Sequence, residues 1–102
     1  MDDDDTGHEV DVVLEYNGDI AQIMSEDPDI AFVVPKEGSL KQSDTLAIPK
    51  GAPHPENAHK FINFVLDPKN AAGLTNKVFY PNPVPASKEF IRKEVASNPT
   101  VF

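Results

Sequence analysis

The sequence predicts an α/β fold, and three stretches carry that expectation. Residues 30–34 (IAFVV) and 46–48 (LAI) are short apolar runs of the kind that lie inside a parallel sheet covered on both faces. Between them, Lys36, Glu37, Gly38, Ser39, Gln42, Ser43 and Asp44 form a polar crossing at the mouths of the two runs, where open α/β sheets hold their ligands. Residues 55–66 then read as an amphipathic helix. Pro55 suits the first helical position, Ala58, Phe61, Ile62 and Val65 make one face, and Phe64 and Leu66 widen it.

In chain order, residues 1–9 are a flexible acidic lead with nothing to bury. Its four aspartates lack the spaced ligands and distal Glu of a calcium loop, so a solvated tail is the better reading. Residues 10–14 alternate apolar and mixed side chains, which predicts a strand. Asn17-Gly18 marks a tight turn, and Ile20, Ile23 and Met24 follow at helical spacing, with Asp19 in the first turn where a carboxylate is favoured. Pro28 stops that helix. After the crossing, Pro49 ends the second apolar run, and His54 is expected to be a weak cap of the next helix. Asp67-Pro68 ends that helix and begins another, which carries Ala71, Ala72, Leu74 and Val78 around Gly73. Two prolines make residues 79–83 irregular, and a last short helix through Phe90, Ile91 and Val95 ends near Asn98-Pro99. No segment repeats.

At 102 residues the chain holds one domain at most, and its 39% hydrophobic residues and ten prolines allow a modest core. The formal net charge is −8, half of it from Asp2 to Asp5. That balance argues against a nucleic-acid or anionic-membrane partner, both of which need clustered Lys and Arg, and it suits a cationic ligand. Without cysteine there is no disulfide or thiol chemistry. The three histidines have no zinc-ligand spacing, and no nucleophile elbow, phosphate loop or dinucleotide fingerprint occurs. Catalysis is therefore the least supported class, and no cofactor or metal is implied.

The segments PKEGSL (35–40), Asp44, LAIPKGA (46–52), PENAHKFINF (55–64) and LDP (66–68) resemble the C-terminal region of the polyamine-binding proteins of bacterial ABC transporters. This is the periplasmic spermidine/putrescine-binding family, of the putrescine-binding kind, and the similarity runs over residues 10–98. The resemblance implies a C-terminal fragment of a two-lobed periplasmic-binding-protein fold (type II) with strands crossing between lobes. Residues 10–43 would belong to the second lobe, 44–80 to the first after the hinge crossing, and 81–102 to the second again. It also implies capture of a putrescine- or spermidine-like cation and its delivery to an ABC transporter permease in the periplasm. The charged N-terminus is unlike a signal peptide, so the export signal of such a parent is expected upstream of Met1. Apolar strand edges left uncovered would invite self-association of the fragment.

A primary ammonium presents three donors and no acceptor, so its site needs carboxylates, and its methylene stem needs aromatic faces. By resemblance, Tyr16 and Asp19 stand at the aromatic and the Asp of the family's W-x-G-D segment. Asp44 stands at the hinge carboxylate that meets an ammonium, and Tyr80 at the aromatic of V-F-Y. Two departures bear on selectivity: Tyr16 replaces Trp, and Gln42 occupies a position that is aromatic in the family. From the residues alone, plainer readings stay open. Asp19 could serve its helix N-terminus, Asp44 a turn, and Tyr80 ordinary packing. The competing functional class is a solute-binding or regulatory module for an amino acid, metal or sugar, with a generic enzyme domain third.

Overall fold

The computed structural model describes residues 11–102, so the acidic lead and Val10 lie outside it. Helices α1 (Asn17–Met24), α2 (Pro55–Leu66), α3 (Pro68–Val78) and α4 (Lys93–Ala96) follow in chain order, with a 3-10 helix at Pro85–Phe90 between α3 and α4. Helix α3 packs chiefly against the 3-10 helix and also touches α2 and α1.

Local chemistry accounts for most of the helix ends. Asp19 lies in the first turn of α1, and the backbone N–H of Ser25 closes the helix on Ala21 O at 3.2 Å. Pro55 begins α2, but His54 makes no side-chain capping bond, contrary to the expectation for it. The working cap is Asp67, whose Oδ1 accepts from Lys69 N at 3.1 Å and so starts α3 directly after α2. Asn70 then donates from Nδ2 to Phe64 O at 2.8 Å, adding to the bond that carbonyl accepts from Asp67 N at the end of α2. Gly73 does not interrupt α3. The helix ends at Phe79, which takes the left-handed conformation (φ 62°) and closes on Thr75 O at 2.9 Å. Glycine usually fills that position, because a side chain there costs about 1–2 kcal/mol. Phe79 is held by packing against the Ala21, Val95 and Val101 cluster and by the Arg92 guanidinium, 6.0 Å from its ring centroid. The single last helix expected through Phe90 and Val95 is instead two short ones, broken at Ile91 and Arg92.

The predicted strands are not found. Residues 30–34, 46–48 and the described part of 10–14 carry no strand pairing, and no strand occurs among the described residues. A strand is a relation between two chains, and an apolar run becomes one only when a neighbour takes up its N–H and C=O groups. Here none of those runs is buried: Val12 and Leu14 are each 90% exposed and Val33 78%, and Ile30, Phe32 and Ile48 are half-buried. One turn lies on the crossing between the last two runs and a second follows residues 46–48. Gly38 N donates to Pro35 O at 2.9 Å and Ala52 N to Pro49 O at 3.1 Å. Gly38 (φ 107°) and Gly51 (φ 80°) supply the positive φ these turns use. Helix α2 also buries no residue, and its Phe61 and Phe64 remain more than half exposed.

The core consists of small side chains, namely Ile20, Ala21, Ala71, Ala72, Val95 and Val101 with Thr75 and Ser87. An alanine methyl contributes only about 0.8 kcal/mol on burial, so side-chain amides weigh as much as apolar contact in joining these elements. Asn82 is the centre of that bonding. Its Nδ2 donates to Thr75 Oγ1 (2.9 Å) and Ala71 O (3.3 Å), while its Oδ1 accepts from Val84 N (2.8 Å) and Ser87 Oγ (3.0 Å). Asn76 accepts from Arg92 N at 2.8 Å and donates to Phe90 O at 3.3 Å. Gln22 donates to Val78 O at 2.9 Å, and Asn17 to Thr100 O at 2.8 Å.

Replacing Asn82 by Ala strands the buried Thr75 hydroxyl and the partners of the amide oxygen, and is expected to cost about 1–3 kcal/mol. Asn57→Ala, on α2, is expected to be neutral or slightly stabilising through helix propensity. Urea unfolding followed by circular dichroism compares the two, and equal midpoints would remove Asn82 from its central place.

Candidate functional site

The residues singled out in the sequence fall into two groups. Tyr16, Asp19 and Tyr80 gather at the N-terminus of α1. Tyr16 occupies the cap position in an extended conformation, Asp19 lies in the first turn, and Tyr80 reaches the same turn from the far end of α3. The Tyr80 hydroxyl accepts from the backbone N–H of Asp19 at 3.3 Å, so it takes up one of the unpaired amides of the helix start. Its ring lies directly on Gly18, where any Cβ would overlap the ring carbons. Gly18 is therefore a packing glycine: it lets an aromatic ring touch the helix backbone.

The electrostatics follow from this placement. Burial raises the Tyr80 phenol above its ordinary value. The Asp19 N–H works in the opposite direction, and the Asp19 and Glu15 carboxylates add to the rise. The phenol thus stays neutral and keeps its own proton available while its oxygen accepts from Asp19. Glu15 was not singled out in the sequence, where the alternation of residues 10–14 made it an outward strand position. In the structure its Oε1 accepts from Tyr16 N at 2.8 Å, beside the other carboxylate of the group. Acceptor-only carboxylates next to two aromatic faces suit a donor-rich cation.

Gln42 and Asp44 form the second group, on the crossing. Gln42 Nε2 donates to Asp44 Oδ1 at 3.4 Å, and both residues are exposed. Among the described residues no hydrogen bond joins this group to the first, and no three His, Cys, Asp or Glu side chains cluster to hold a metal ion.

Acidic and aromatic residues are thus gathered at the start of α1, and a second polar pair stands on the crossing. The chain belongs to the bacterial extracellular solute-binding protein family, whose sequence model matches residues 6–102. It is similar to spermidine/putrescine-binding periplasmic protein 1 of Haemophilus influenzae, with 37% identity over 94 residues, 92% of this chain and 26% of that protein. It is also similar to the putrescine/agmatine-binding protein of Pseudomonas aeruginosa (32% identity, 100% of this chain and 29% of the relative). The spermidine/putrescine-binding periplasmic protein of Escherichia coli is 35% identical over 92% of this chain and 27% of its own length. The chain thus spans about a quarter of the length of the curated relatives it matches. No solved structure matches it.

The raised value for Tyr80 has a definite sign. The folded state prefers the neutral phenol, so this contribution to stability is complete below the ordinary tyrosine value of about 10 and is lost as pH rises through the raised folded value. In an alkaline titration of phenolate absorbance, the component that disappears in Tyr80→Phe is expected above that ordinary value in the folded chain. It should return to the ordinary value in urea. A Tyr80 component that titrates alike in both conditions would contradict the packing of its ring on α1.

Proposed function

We propose that this chain contributes the C-terminal part of a polyamine site in a periplasmic solute-binding protein, which captures a putrescine- or spermidine-like cation and hands it to an ABC transporter permease. The observation that carries the reading is the meeting of Tyr80 with the Asp19 turn of α1, in a chain whose relatives are named for binding spermidine and putrescine. Asp19 and Asp44 serve as the carboxylates for the ammonium groups, and Tyr16 and Tyr80 as faces for the methylene stem. Lobe closure around the ligand brings the Asp44 crossing toward the α1 group.

In this reading, residues 10–43 and 81–102 share the second lobe. The Asn17–Thr100 bond and the cluster of Ala21, Val95 and Val101 support that pairing. Helix α3 packs against both α1 and the 3-10 helix, which argues for drawing the boundary of the first-lobe segment before Pro68 rather than after Tyr80. The unpaired runs at 30–34 and 46–48 take strand pairing from parts of the two lobes that lie beyond this chain. One observation favours a second reading, a different solute: Gln42 stands where the family has an aromatic, and its amide already donates to Asp44.

In the protein that carries this chain, Asp44→Asn is expected to weaken putrescine binding about tenfold or more, since a hydrogen bond to a charged group is worth about 1.5–3 kcal/mol. Asp27→Asn, whose carboxylate only closes a turn on Asp29 N, should leave affinity unchanged. Titration calorimetry that finds equal affinities for the two variants removes Asp44 from the site.

The isolated chain is proposed to self-associate through its exposed apolar residues, among them Leu40, Phe61 and Phe64. Light scattering over a concentration series should show mass rising with concentration, and a monomer throughout would overturn this.

A further inference from the structure

Asn17-Gly18, a turn signal in the sequence, forms the first turn of α1 instead. The same dipeptide carries a reactivity that neither the fold nor the binding proposal uses. Glycine has no side chain to shield its backbone nitrogen, which can attack the side-chain carbonyl of the preceding asparagine. We propose that Asn17 is a site of spontaneous deamidation, gated by the docking of residues 98–102 on α1.

The reaction consumes only water and releases ammonia. The Gly18 nitrogen gives up its proton and bonds to Cγ of Asn17, the Cγ–Nδ2 bond breaks, and ammonia leaves from a five-membered cyclic imide. Water then opens the ring at either carbonyl. One opening leaves an aspartate, and the other an isoaspartate whose backbone runs through the former side chain. Asn17 is singled out among the asparagines because no other precedes glycine. Asn82 and Asn98 precede prolines, whose nitrogen carries no proton, while Asn57, Asn63, Asn70 and Asn76 lie inside α2 and α3 before residues with side chains.

The folded chain restrains the attack in three ways. The helical backbone turns the Gly18 nitrogen away from Cγ of Asn17. Gly18 is buried beneath the Tyr80 ring. The leaving nitrogen, Nδ2, donates to Thr100 O at 2.8 Å. Thr100 is in turn held by its neighbour Val101, 4% exposed and packed with Ala21 and Val95. When the tail lifts, Nδ2 loses its acceptor and the Asn17 side chain is released from one of these restraints, while the Tyr80 ring still covers Gly18.

The product does not restore the docked state. A carboxylate in place of the amide has no donor for Thr100 O, so two acceptors face each other. An isoaspartate lengthens the main chain by one carbon within the first turn of α1, which displaces the Asn17 and Gly18 peptide groups from helical register. Deamidation therefore converts a reversible opening of the C-terminal segment into a permanent one.

The full chain, incubated warm at mildly alkaline pH and mapped by peptide mass spectrometry with isoaspartate detection, tests this. Modification is expected first at Asn17, slower in the native chain than in urea by about tenfold or more, because the rate tracks the population of the open form. Val101→Ala, with its helices intact by circular dichroism, should recover several-fold of that difference. Equal native and unfolded rates, or an unchanged rate in a folded Val101→Ala, would overturn the gate. If that variant loses its helices, the unmodified chain in low urea decides. An Asn17 rate that rises with exchange of the Val101 amide supports the gate, and one that rises only with loss of helix signal overturns it.

Discussion

The four hydrogen bonds of Asn82 are what the helical body depends on. The buried residues of α3 are two alanines and a threonine, so the helix brings little apolar area to its contact with the 3-10 helix. Asn82 uses both ends of its amide in that gap, donating into α3 and accepting from the start of the 3-10 helix. Each such bond is worth about 1 kcal/mol net, but leaving a buried partner unpaired costs more, which makes the arrangement all-or-none. Asn76, Gln22 and Asn17 repeat the device at other junctions, each donating to a backbone carbonyl distant in sequence.

That clamp also positions Tyr80 at the start of α1. Between the end of α3 and Asn82 there is room only for Phe79, Tyr80 and Pro81, so fixing both ends fixes the ring between them. The left-handed turn at Phe79 sends Tyr80 back toward α1, and Gly18 lets its ring settle on the helix. The place of Tyr80 thus rests on the Asn82 contacts as well as on its bond with Asp19 N. Substitutions in the Asn82 network should be felt at the helix start through the geometry of this short connection.

The remainder of the described chain has the opposite character. From the end of α1 to the start of α2 no described residue is buried, and the backbone has local turns, at Asp27–Ile30, Pro35–Gly38 and Pro49–Ala52, but no strand pairing. Asp19 lies on a helix whose start meets Tyr80, whereas Asp44 lies on the crossing with Gln42 as its hydrogen-bond partner.

Residue order alone determined α2 and α3 and their bounds, because those signals are local, whereas the start of α1 and the division of the last helix departed from the local reading. Pro55, Asp67-Pro68 and Pro28 act on backbone within one turn, and the expected bounds of α2 and α3 match the structure. Residue order also carried the family, through segments dense enough to be matched without a structure. Only tertiary structure decided which apolar runs became strands, since pairing needs a neighbour that no local pattern supplies; residues 30–34 and 46–48 read as strands and have none. It decided, too, that Asn82 would be central, that His54 would not cap, and that Glu15 would stand with the Asp19 group. Asparagine and glutamate carry no periodic signature, and their roles are set by which distant carbonyl or amide the fold brings within 3 Å. Tyr80 shows the division within one residue: its place in the chain marked it as a candidate, and its meeting with Gly18, 62 positions earlier, came from the packing of α3 against α1.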